Sequence, residues 1–147
     1  MISIRKKNSG FTIIELLIVI IVIGILATLV IVTYNGIQQK ARDTKRKTDI
    51  NAVQGQVEAY FAQNGKYPTL ANVNDSTWRS TNMKGLDPSA LKDPNGSTQA
   101  LVATTTANSY VYAVTPSGCD NSGTDCTGYA LTATLEGGGT YSKQALN

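Results

Sequence analysis

Along this chain the apolar positions are gathered first into one block and then into two weaker periodic patterns. Residues 16–32 are apolar except for Gly24 and Thr28. Counted from Phe11, the block reaches 22 residues, enough at 1.5 Å per residue to cross about 30 Å of hydrocarbon. Beyond it the spacing turns amphipathic. Ile37 and Ala41, then Ile50, Val53, Val57, Tyr60 and Phe61, recur at three- and four-residue intervals, while Asp49, Asn51, Gln54, Gln56 and Glu58 fall between them. No proline occurs before Pro68. The pattern predicts one helix over residues 11–63, about 75–80 Å long, whose outer stretch carries a stripe that a small domain could cover. Asn64-Gly65 is the stop signal, and Lys66-Tyr67-Pro68 leads away extended.

The rest of the chain changes period. A polar loop carrying Trp78 and Met83 comes first. Asp87 followed by Pro88 is an N-cap with proline at the first helical position, so a short helical turn is expected there. Lys92-Asp93-Pro94-Asn95-Gly96-Ser97 is turn chemistry. Tyr110, Tyr112 and Val114 alternate, as do Tyr129, Leu131, Ala133 and Leu135, with Thr132, Thr134 and Glu136 opposite. Residues 100–105 are a weaker strand candidate, and Thr140-Tyr141-Ser142 a short last one after the Gly137-Gly138-Gly139 turn. The expected fold is α+β: a long N-terminal helix, with a transmembrane half and an amphipathic half, packed on a small antiparallel sheet of three or four strands.

Charge and composition narrow the function. The formal charge of +3 over 147 residues is carried by the N-terminus: without Arg5, Lys6 and Lys7, ten basic face ten acidic residues. The domain after Gly65 is slightly acidic, so nucleic acid is not expected as a direct ligand. The basic cluster Lys40, Arg42, Lys45, Arg46 and Lys47 reads as a solvated helix face paired locally with Asp43 and Asp49, in preference to a DNA contact. There is no histidine and no recognisable pair of catalytic carboxylates, so neither an enzyme nor a cofactor or metal centre is expected. Cys119 and Cys126 enclose a short polar loop. On the exported side of a membrane they read as a disulfide. The rival, a calcium loop using Asp120, Ser122 and Asp125, lacks EF-hand spacing.

The chemistry lies at the front of the apolar block. Glu15 stands near its start, where a charge is unfavourable by roughly 2.5–3.5 kcal/mol at helix-centre depth and calls for a partner. The basic leader ending Lys6-Lys7-Asn8-Ser9-Gly10 offers one, because cutting after Gly10 would free an α-amino group on Phe11. An ordinary secretory signal loses its apolar stretch. Here no small-x-small site closes the block, so the apolar helix stays with the product. Positive charges flank both sides, but those at 40–47 belong to a continuing helix, and the C-terminal domain is placed outside.

The run Gly10-Phe11-Thr12-Ile13-Ile14-Glu15-Leu16-Leu17-Ile18-Val19-Ile20 closely resembles the leader junction and N-terminal helix of type IV pilins and pseudopilins. Lys66-Tyr67-Pro68 is similar to the segment that ends the long helix in many of them. The resemblance implies a leader at 1–10, a transmembrane helix part at 11–34, an amphipathic continuation at 35–64 and a β-rich globular domain at 65–147. It implies a prepilin peptidase that cuts after Gly10 and methylates the Phe11 amine with S-adenosylmethionine. Glu15 would then pair with the N-terminus of a neighbouring subunit in a helical fibre of this and other pilins. Assembly would use an inner-membrane platform protein and an ATPase. The subunit would begin as a single-pass cytoplasmic membrane protein and end in an extracellular pilus. Val32 stands where many members have proline, which removes the kink a proline would give. The alternatives are a pseudopilin of type II secretion or competence, or a membrane-anchored surface-binding module using Trp78 and the tyrosines.

Overall fold

Helix α1 (Ile13–Asn64) is the first element of the structure, a computed structural model describing residues 10–147. The basic leader residues Arg5, Lys6 and Lys7 lie outside that range. The chain divides into two compact units, Met1–Gln38 and Gln39–Asn147. In the first, the helix starts two residues after Phe11 because Thr12 caps it, with Leu16 N donating to Thr12 O at 3.2 Å. It runs without a break past Val32. Every large apolar side chain from Ile13 to Val32 is exposed within the chain. The two hydroxyls of this stretch are satisfied on the helix itself, Thr28 Oγ1 donating to Gly24 O at 2.6 Å and Thr33 Oγ1 to Leu29 O at 2.8 Å. A helix that closes its own hydrogen bonds and turns only alkyl groups outward suits lipid. Among the described residues α1 is the one helix long and apolar enough to cross a membrane.

The second unit is built on the outer part of α1. The helix ends where the sequence places its stop: Gly65 N donates to Phe61 O at 2.8 Å, and Gly65 has φ of 70°, which a side chain would strain. Two short helices, α2 (Leu70–Asn74) and α3 (Ser76–Asn82), replace the expected polar loop. Thr69 and Asn72 form a reciprocal cap on α2, and Asp75 accepts from Trp78 N at 2.6 Å to cap α3. They are too short to leave a periodic signal. The turn at Pro88–Leu91 is present as a 3-10 helix capped by Asp87.

Three strands follow, β1 (Val111–Thr115), β2 (Gly128–Thr134) and β3 (Thr140–Gln144), antiparallel in the order β1-β2-β3. Residues 100–105 do not form a strand; Val102 alone bridges to Val111 in parallel. The register sets Tyr112 opposite Leu131 and Val114 opposite Tyr129. Tyr110, Tyr112, Tyr129, Leu131 and Ala133 are buried, as are Ile50, Val53 and Val57 of α1. Ile37, placed on the stripe by its spacing, is exposed.

The phenols explain the helix's polar residues. Tyr110 OH donates to Asp49 Oδ2 at 2.9 Å, Tyr129 OH to Glu58 Oε1 at 2.7 Å and Tyr141 OH to Asn51 Oδ1 at 2.9 Å. Asp49 is therefore buried under the sheet, not solvated as its polarity predicts. The Tyr110 and Tyr129 rings are buried as hydrocarbon and the Tyr141 ring is half-buried, while each hydroxyl finds an acceptor on α1. Leu131 lies at the centre of this layer with no exposure. Leu131→Ala should lower the stability of the outer domain by about 2–5 kcal/mol without altering helix content, read as a shifted denaturant midpoint in circular dichroism.

Candidate functional site

Gly10, Phe11 and Glu15 stand within one turn of the helix start. Thr12 organises them. Its backbone N donates to Glu15 Oε2 at 2.8 Å and its hydroxyl to the same oxygen at 2.7 Å, while Glu15 N donates to Thr12 Oγ1 at 3.2 Å. This is a capping box, in which threonine and a glutamate three residues on satisfy each other's backbone donors. Thr12 was legible from its spacing to Glu15, since the box needs only Thr-x-x-Glu before an apolar run. Both Thr12 bonds use Oε2; Oε1 accepts none among the described residues. The Phe11 side chain is 88% exposed. Around Gly10, a Cβ would meet no atom of the described residues within 4 Å, so nothing in the fold itself asks for glycine there.

Residues 5–31 match the family model described as the prokaryotic N-terminal methylation motif. The chain is 38% identical over 72 residues to the type II secretion system core protein G of Aeromonas hydrophila, covering 49% of this chain and 50% of that protein. Against the corresponding protein of Escherichia coli it is 40% identical over 63 residues, 43% of each chain. With the type IV major pilin protein PilA of Myxococcus xanthus it shares 35% identity over 68 residues, 46% of this chain and 31% of that one. The chain thus spans about half the length, or less, of these relatives. No solved structure matches it.

In the outer domain the expected solvated basic face is split. Arg46 is only 2% exposed. Its Nε and Nη2 donate to the two oxygens of Asp93 at 2.7 and 2.9 Å, and its Nη1 to Asp43 Oδ1 and Glu136 Oε1, each at 2.8 Å. Arg42 grips Glu136 with two further bonds of 2.8 and 2.6 Å, and Lys45 pairs with the buried Asp49. Asp43 also accepts from the backbone N of Glu136 and of Gly137 at 2.8 and 2.9 Å. The cluster joins α1, the Asp93 turn and the β2–β3 turn. Gly96 is needed beside it, since a Cβ there would stand 2.6 Å from Asn108 O. Only the residue types were visible in the sequence; nothing there placed Asp93 or Glu136 against Arg46.

Cys119 and Cys126 are joined, with Cα atoms 5.2 Å apart. Within the loop, Asp120 Oδ1 accepts from the backbone N of Ser122, Gly123 and Thr124 at 2.9, 2.8 and 3.2 Å. The Gly123, Ser122 and Thr124 donors hold its carboxyl down at about 2. Asp125 pairs with Lys66 at 3.1 Å. These carboxylates organise the loop, and among the described residues no group of three or more His, Cys, Asp or Glu is placed to hold a metal ion.

Arg42 and then Arg46 lower the Glu136 carboxyl to about 2, with burial opposing. Burial also works against ionising Asp43, yet the backbone donors and Arg46 hold it below the usual carboxylate range. A pKa lower in the folded than in the unfolded state stabilises above the unfolded value and is lost as pH falls through the folded one. The outer domain should therefore keep a constant unfolding midpoint from about pH 7 to 5 and lose stability steadily from about pH 5 towards 2. Glu136→Gln should lower the midpoint at neutral pH and flatten that slope. A pH series of thermal melts checks both.

Proposed function

We propose that this chain is a structural subunit of a type IV pilus-like fibre. The observation that carries the reading is the junction itself. A single carboxylate with one oxygen unengaged stands at the start of an apolar helix whose side chains find no cover in their own chain. The N-terminal methylation motif over residues 5–31 supports it. A membrane-anchored precursor is cut after Gly10, whose lack of a side chain lets a protease approach the backbone closely. The amine freed on Phe11 is methylated. During assembly Glu15 pairs with the N-terminus of an adjacent copy. In a low-dielectric surround each charge offsets the cost of burying the other.

The partners in this scheme are further copies and other pilins, a prepilin peptidase, an inner-membrane platform protein and an assembly ATPase. The subunit passes from single-pass membrane protein to extracellular fibre, the disulfide-bonded outer domain facing the oxidising side. Its role is structural. A second reading, a pseudopilin acting in protein secretion, is favoured by one observation: relatives 38% and 40% identical, over 72 and 63 residues, are named as secretion-system core proteins.

Mass spectrometry of the mature protein should find Phe11 as the first residue, carrying one methyl group; an intact Met1 would remove the processing claim. Glu15→Ala should leave insertion and cleavage unchanged while incorporation into filaments drops at least about tenfold, as loss of one buried charge pair of ~1.4 kcal/mol or more requires. Normal incorporation beside wild-type subunits would refute the pairing role.

A further inference from the structure

Between α2 and α3 lies an open groove of about 500 Å³, lined by Ala71, Asn72, Asp75, Thr77, Trp78, Thr81 and Asn82. We propose that this groove binds a neutral pyranose sugar, a role that stands whichever machine the chain serves. The floor is Trp78, half-buried, its ring tilted 56° against Tyr60 with centroids 5.0 Å apart. Tyr60 holds the indole in place from the helix side. Among the described residues the Trp78 side chain makes no hydrogen bond, its recorded bonds being through the backbone, so the indole N–H is an available donor.

The polar rim is half-used in a regular way. Asp75 caps α3 with Oδ1, leaving Oδ2. Asn72 accepts from Thr69 with Oδ1, leaving its amide N–H groups. Asn82 donates Nδ2 to Trp78 O at 2.9 Å, leaving Oδ1. The bonds that fix each planar group locally also orient its free atom, so the rim is preorganised. An aromatic surface suits the C–H face of a sugar ring, and the amide and carboxylate atoms suit its hydroxyls. Charge selects the class. No lysine or arginine lines the groove, and Arg79 is turned inward to Val73 O at 2.7 Å, so Asp75 would repel an acidic sugar.

Trp78 is the sole tryptophan of the chain, so emission reports on this groove directly. The full chain, in a detergent without sugar headgroups, is titrated with maltose, cellobiose and N,N′-diacetylchitobiose. At least one should shift the emission saturably. Asp75→Ser keeps a capping oxygen but removes the free one, and should weaken that binding about tenfold with helix content unchanged. Trp78→Leu should abolish saturation-transfer NMR signals from the same sugar. The proposal is overturned if none of the three disaccharides gives a saturable response, if both variants bind like wild type, or if sialyllactose binds as tightly as the neutral sugars.

Discussion

Burying a guanidinium with 2% exposure imposes a condition on everything around it. Arg46 cannot shed its proton, so its desolvation must be offset by carboxylates held at bonding distance. Asp93 supplies a bidentate partner, while Asp43 and Glu136 share the remaining nitrogen. These acids come from a proline-containing turn, from the helix itself and from the end of the sheet. Arg46 thus ties the turn at Asp93 to α1, and together with Arg42 and Asp43 it ties the β2–β3 connection there as well. The apolar contacts of Val53, Val57 and Leu131 supply the larger share of burial free energy, but they are not directional. Arg46 gives the layer its alignment at one end, and the tyrosine hydroxyls give it along the rest.

The opposite condition holds at the N-terminal unit. There the apolar side chains are uncovered within the chain, and the Thr28 and Thr33 hydroxyls are closed on the helix itself. Such a surface is stable only in lipid or against other apolar helices. The outer domain has its own core, and the N-terminal unit has none. A protein built this way gains from a neighbour in its first unit while its second stays folded alone, which is what the proposed subunit, held in a membrane before polymerising, requires.

Periodicity in the sequence reveals α1 and the three strands, because each repeats its pattern, while the stop at Gly65 and the turn after Asp87 are marked by the residue types themselves. Helices α2 and α3 escape it: five and seven residues hold at most two turns, and their caps, Thr69 and Asp75, look like loop polarity. The polar residues of α1 are misjudged for a different reason. Asp49 is hydrophilic by type, yet it is buried because Tyr110, 61 residues away, brings a hydroxyl to it. Arg46 is likewise buried by partners 47 and 90 residues distant. Side-chain type records the cost of burial; it carries no record of a partner supplied from elsewhere in the chain. At the N-terminus the residues of the proposed site could be named from the sequence because they all lie within six residues.

Thr12 resolves a difficulty in the proposed assembly cycle. A lone carboxylate waiting in the membrane would bear its desolvation cost until a neighbour arrived. The capping box gives Glu15 two donors from its own chain, both on Oε2. Charge-assisted bonds of this kind recover part of the hydration that is lost. They also hold the carboxylate at the helix start with Oε1 unoccupied, so an arriving amine meets an oriented acceptor and need not displace Thr12. In the proposed cycle, local capping and assembly therefore use different oxygens of one side chain, and the interaction that starts the helix prepares the one proposed to join subunits.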